Sequence, residues 1–150
     1  MRYFVSIALF FGVLNPVFAQ GKTVSDFYFG KAVSNEELDT SAKEFSLREG
    51  MGWCWVAQLS DHLIGKPIKS VELFKLPDQG SFESEDANMK VTSSADKKTW
   101  TIVQTEKLDE TQMIERCWFL DPELDPKGAY LLNVNINGEE QVPIRFTVVD

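Results

Sequence analysis

Two stretches of strict alternation, joined by an asparagine-glycine pair, constrain this fold more than any other feature. In Ala129 to Ile136 the residues Tyr130, Leu132, Val134 and Ile136 share one parity, and Asn133 and Asn135 share the other. Val142, Ile144, Phe146 and Val148 then alternate with Pro143, Arg145 and Thr147. Period-two patterning on both sides of Asn137-Gly138, a dipeptide suited to positive φ, predicts a β-hairpin with one buried face. Pro143 has no N–H to give a ladder, so it belongs at a strand start or a sheet edge.

Weaker versions of this rhythm recur upstream. Trp53, Trp55, Ala57 and Leu59 share a face, with Cys54, Val56 and Gln58 opposite. Ile68 to Leu76 is strand-like and stops at Pro77-Asp78-Gln79-Gly80. Trp100 to Thr105 and Met113 to Leu120 are further strands, and Val24 to Phe29 and Phe45 to Arg48 are shorter ones. The total is about eight strands at sandwich-like spacing. One helix is expected: Ser34-Asn35-Glu36-Glu37 has capping-box form and starts a short helix through Leu38 and Ala42. The polar segment Gln79 to Asn88 is expected to be a mobile loop.

The N-terminus predicts location. Arg2 precedes an apolar run, Phe4 to Leu14, which is too short to span a bilayer. Asn15-Pro16 and the small residues of Val17-Phe18-Ala19 complete the layout of a secretory signal peptide over residues 1–19, cleaved near Ala19-Gln20. Residues 20–150 then form a single β-sandwich domain, periplasmic or secreted, with no stable membrane insertion once the signal is removed. Cys54 and Cys117 are the only two cysteines, and behind a signal peptide an even count implies one disulfide. The formal net charge of −8 disfavours nucleic acid and anionic lipid as partners and favours cationic ones.

The turn Asp125 to Gly128 followed by Tyr130 resembles immunoglobulin-like sandwiches, as does the ending through Asn137-Gly138 and Phe146-Thr147-Val148. There a tyrosine near the start of the penultimate strand ties its hydroxyl back to the preceding corner. The resemblance is to exported bacterial immunoglobulin-like proteins of mostly uncharacterised function. It implies a two-sheet all-β fold whose corner is set by Tyr130 and Gly128. It also implies a Cys54–Cys117 bridge between neighbouring strands of one sheet, or at a sheet edge, unlike the antibody inter-sheet staple. A small closed β-barrel is the alternative architecture, disfavoured because the inward faces are aromatic and β-branched.

Trp53, Trp55 and Trp118 share faces with aliphatic residues and read as core. Trp100 follows the polar Asp96-Lys97-Lys98 and is the tryptophan expected to be exposed. With the acidic run Glu83, Glu85 and Asp86 it forms the expected binding surface. Asp121, Glu123 and Asp125 alternate like the start of a calcium loop, but the glycine and terminal glutamate of such loops are missing. His62 stands alone, without a serine elbow or a zinc helix motif. No catalytic, cofactor or metal residues are therefore assigned. The expected function is a non-catalytic exported module engaging a protein or glycan of the cell envelope. The alternatives are an inhibitor or immunity protein against a cationic envelope-targeting enzyme, and an enzyme of undescribed type.

Overall fold

A computed structural model describes residues 21–34, 37–48 and 52–150. The expected signal peptide lies outside them. Among the described residues eleven strands run in chain order: β1 Val24–Ser34, β2 Glu37–Asp39, β3 Glu44–Ser46, β4 Trp53–Leu59, β5 Pro67–Lys75, β6 Met89–Ser93, β7 Thr99–Lys107, β8 Met113–Trp118, β9 Gly128–Ile136, β10 Glu139–Glu140 and β11 Ile144–Val149. They form two sheets, ordered β2-β1-β4-β8 and β3-β11-β9-β5-β7-β6, with β10 added beside β9. The architecture is an open two-layer sandwich, not the closed barrel kept as an alternative.

Alternation drives the layering. In β9 the side chains of Tyr130, Leu132, Val134 and Ile136 are buried, as are Ile68, Ser70, Glu72 and Phe74 of β5 and Trp53, Trp55, Ala57 and Leu59 of β4. Side chains two apart on a strand point the same way, so each strand contributes one row to the space between the sheets. Phe146 is the hub of an aromatic cluster, its ring centroid 5.2 Å from Phe45, 5.4 Å from Phe29 and Trp53, and 5.1 Å from Tyr130. Offset and edge-on ring pairs of this kind add to the stabilisation that burial supplies.

The eight strands expected from the sequence are all present, and β2, β6 and β10 join them. Asn137 and Gly138 both take positive φ, +50° and +88°, and turn β9 tightly into β10 as expected. Val142 departs from the pattern: it is 81% exposed rather than on the buried face. The Gln141 amide still donates to the Val134 carbonyl of β9 at 2.9 Å, the chain leaves the ladder at Val142 and Pro143, and pairing with β9 resumes at Ile144 opposite Leu132. The expected helix is also absent from its described part. Glu37–Asp39 instead pairs antiparallel with the end of β1; Asn35 and Glu36 lie outside the described residues. The S-x-x-E signal is local, and pairing with a neighbouring strand overrides so short a helical stretch.

After β2 the chain crosses to the other sheet, where β3 pairs parallel with β11. The N-terminal strands therefore tie both layers together. At the start of β9, Tyr130 Oη donates to the Pro126 carbonyl at 2.7 Å. Burial, with Asp125 nearby, pushes the Tyr130 phenol up, so it stays a donor. Gly128, just before it, has φ +131°, and a Cβ there would sit 2.9 Å from Pro77 Cβ. Tyr130→Phe removes only the hydroxyl and leaves the part-buried Pro126 carbonyl without that donor. It should lower unfolding free energy by about 1 kcal/mol in urea titrations, with the slope unchanged.

Candidate functional site

Two loops flank the end of β8 and leave an open groove between them. One is 77–88, between β5 and β6; the other is 119–127, between β8 and β9. Trp53, Phe82, Met89, Trp118, Phe119, Leu124 and Tyr130 supply the apolar lining, with Ser81, Glu83, Ser84, Arg116, Asp121 and Asp125 as its polar members. The groove encloses about 390 Å³, within the range of roughly 300–1,000 Å³ usual for ligand pockets. Phe119 and Leu124 remain 73% and 50% exposed beside it. Two such side chains at one mouth form an apolar patch, whereas scattered single ones carry no meaning.

The part of the 77–88 loop expected to be mobile, 79–88, is pinned at two points. Phe82 stacks on Phe74 at 4.6 Å and meets Trp118 edge-on at 5.1 Å. Asp86 accepts from Gln104 Nε2 at 2.7 Å and from the Asn88 amide at 2.8 Å. Of the expected binding residues, Glu83 lines the groove, Glu85 is exposed on the same loop, and Asp86 is spent on holding the loop in place. Trp100 is corrected outright. It is 8% exposed, lies 5.6 Å from the Phe82 ring, and donates Nε1–H to the Lys97 carbonyl at 2.9 Å. Its polar neighbours belong to the hairpin turn between β6 and β7, while its own parity places it inside with Ile102.

Opposite charges sit behind the groove, between the sheets. On β8 the inner parity is Ile114, Arg116, Trp118, and Arg116 pairs in register with Trp55. Its guanidinium lies 5.8 Å from the centre of the Trp55 ring, forms an ion pair with Glu106 of β7, and donates to the Glu115 carbonyl at 2.6 Å. Glu72 of β5 is 1% exposed and accepts from Trp118 Nε1 at 2.9 Å. The buried Trp55 Nε1–H also stabilises this carboxylate electrostatically while standing outside hydrogen-bonding geometry. Trp118 thus has two roles: its ring walls the groove and its N–H anchors it to Glu72.

Burial pushes the Glu72 carboxyl from 4.5 up to about 6, against the opposing influence of the two indoles and Arg116. The folded state therefore holds a proton that the unfolded chain has released. The stabilisation is complete below pH 4.5 and is lost as pH rises through about 6. The loss is about 2 kcal/mol. Unfolding of wild type and Glu72→Gln across that window should isolate it: the wild type weakens relative to the variant as pH rises. A constant difference between the two would contradict the assignment.

Neither set of possible metal ligands is arranged for one. Cys54, Glu115 and Cys117 cluster, but the two sulfurs are bonded to each other, which leaves no thiolate. In the 119–127 loop, Asp121 accepts from the Glu123 amide at 2.8 Å and Asp125 from the Asp121 amide at 2.7 Å. These carboxylates cap their own loop as turn formers. His62 is exposed on a short 3₁₀ turn, Asp61–Leu63, and lines a separate, open depression of about 770 Å³ with Lys66 and Lys69.

Sequence reasoning passed over Glu72, Arg116, Glu106, Phe119 and Leu124 as site residues. Parity held the signal for two of them, since Glu72 shares a face with Ile68 and Phe74, and Arg116 with Ile114 and Trp118.

The fold and groove define a disulfide-clasped β-sandwich with an aromatic-walled surface cleft. Residues 25–149 match the PM0630 beta sandwich domain, and the chain belongs to that family. No curated protein matches it.

Proposed function

We propose that this protein is a non-catalytic exported binding module with an immunoglobulin-like sandwich, acting in the periplasm or outside the cell on a protein or glycan of the envelope. The observation that carries the reading is the open aromatic groove with Phe119 and Leu124 at its mouth. Exposed apolar side chains beside a concave, aromatic-walled surface are what a recognition site requires.

Other features support the finer parts. The Cys54–Cys117 bridge suits an oxidising compartment. No described helix is long and apolar enough to cross a membrane. The sheet pairing β1-β4-β8 against β3-β11-β9-β5 divides the N-terminal strands between the layers, and the Tyr130–Pro126 bond supports reading this turn as an immunoglobulin-like corner. The bridge lies within one sheet, which separates the chain from antibody domains. The titratable groups lining the groove are tied into loop turns or an ion pair, or stand singly at the rim, which favours binding over chemistry.

The test is retention. Immobilised residues 20–150 should capture a defined envelope component, and Phe119→Ser should lose it while Tyr28→Ser, an exposed aromatic change on β1 outside the groove lining, should not. Capture that ignores Phe119 would remove the groove from the proposal. The inhibitor reading draws on the acidic groove rim and is separated by assay: only it requires that stoichiometric protein abolish the activity of a basic hydrolase.

A further inference from the structure

The groove has a charge pattern as well as a shape. Its acidic lining residues are Glu83, Asp121 and Asp125, and its one lining cation, Arg116, is already paired with Glu106. The rim is therefore negative and the wall apolar. Carboxylates accept hydrogen bonds and donate none once ionised, whereas ammonium and guanidinium groups donate and never accept. A sugar hydroxyl needs donors as well as acceptors from its site. The rim is rich in carboxylate acceptors and its cationic donor is engaged elsewhere, so the side-chain donors left are the hydroxyls of Ser81 and Ser84. Desolvation and Asp121 together push the Asp125 carboxyl up, as expected where negative charge is concentrated and partly buried.

Resting on the binding-module reading, we propose that the groove takes a cationic peptide segment: an aromatic or aliphatic side chain seated between Phe82, Trp118, Phe119 and Leu124, with flanking lysine or arginine residues meeting Glu83 and Asp121. The volume suits one or two side chains, and the apolar walls supply the anchor that such contacts depend on. The acidic rim and the net charge of −8 steer the partner and set its polarity. Asp121 keeps its loop-capping bond to the Glu123 amide through one oxygen and has the second left to meet a cation.

The probe is an acetylated, amidated peptide of sequence Lys-Lys-Phe-Leu-Lys-Lys, titrated into labelled residues 20–150 and followed by amide and indole NMR shifts. The controls are the glutamate counterpart of the peptide and a neutral oligosaccharide, chitohexaose. Shifts should concentrate at 81–84 and 116–125, and affinity should fall about tenfold between low and high salt. Phe119→Ser should weaken binding about tenfold at either salt concentration. Glu83→Gln should weaken it about threefold, at low salt only. Tyr28→Ser is the fold-neutral control and should change nothing. Groove binding of the oligosaccharide in preference to the basic peptide would overturn the cationic assignment and leave the module reading standing. So would equal binding of the acidic peptide. Basic-peptide shifts that map away from the groove would overturn the location, and silence from all three ligands would count against both proposals.

Discussion

Replacing both cysteines, Cys54→Ala with Cys117→Ala, is expected to lower the unfolding free energy by about 4 kcal/mol. The two residues face each other across β4 and β8 in register, with Cα atoms 4.1 Å apart and a sequence separation of 63. A bridge over so long a span removes much of the freedom of the unfolded chain, and in the chain-entropy account that is the source of its effect. A loss of this size is a large fraction of the roughly 5–15 kcal/mol that holds a domain together. The bridge also clasps an edge: β8 ends its sheet, with only β4 beside it. The measurement is guanidinium unfolding of the variant and of wild type, oxidised and reduced. The variant should match reduced wild type, and its steeper slope should report an unfolded state released from cross-linking. A shift under about 1 kcal/mol would mean that strand pairing alone fixes this edge.

The layers were legible because apolar alternation is strong where a strand has one wet face. β9 shows this most clearly, and β4, β5, β7 and β8 follow it. β6 was illegible for the converse reason. It is an edge strand whose inner row is only Met89, Val91 and Ser93, and its other residues face water. β2 and β10 are three and two residues long, too short for any periodicity to register. Val142 shows the limit of pattern reading. It continues a perfect alternation in sequence, yet the chain leaves the ladder there because Pro143 cannot donate.

The site was less legible than the fold. Glu83 belonged to a run singled out as acidic, but its groove depends on Phe82 folding inward from a loop that composition alone marks as free. Trp100 was misplaced because its polar neighbours dominate a short window, whereas its parity with Ile102 and Gln104 sends it inside. Phe119 lies one residue beyond β8, where alternation no longer constrains direction. Loop residues are positioned by contacts distant in sequence, and no local pattern encodes those.

Arg116 should prove the most sensitive charged residue. Arg116→Met keeps an apolar stem over Trp55 and removes the guanidinium, leaving Glu106 without its partner and Glu72 more isolated. Breaking a buried pair by deleting one member costs about 3–5 kcal/mol because the surviving charge is stranded. The lower end is expected here, about 3 kcal/mol, since Glu106 keeps a third of its side chain in solvent. The pH dependence identifies the cause. Arg116 holds the Glu72 carboxyl down, so its removal lets burial push that group above about 6. Glu72 is then more easily kept neutral, and the fall in stability with rising pH becomes deeper and extends to higher pH. The variant should therefore be closest to wild type in mild acid and furthest from it in mild base. Adding Glu72→Gln to Arg116→Met should remove that widening while leaving the Glu106 share of the loss, which a third change, Glu106→Gln, should reduce. Denaturant unfolding of the three variants at two pH values decides the matter. A cost that is the same at both, and unaffected by Glu72→Gln, would show that Arg116 serves Glu106 alone and that Trp118 holds the inner carboxylate unaided.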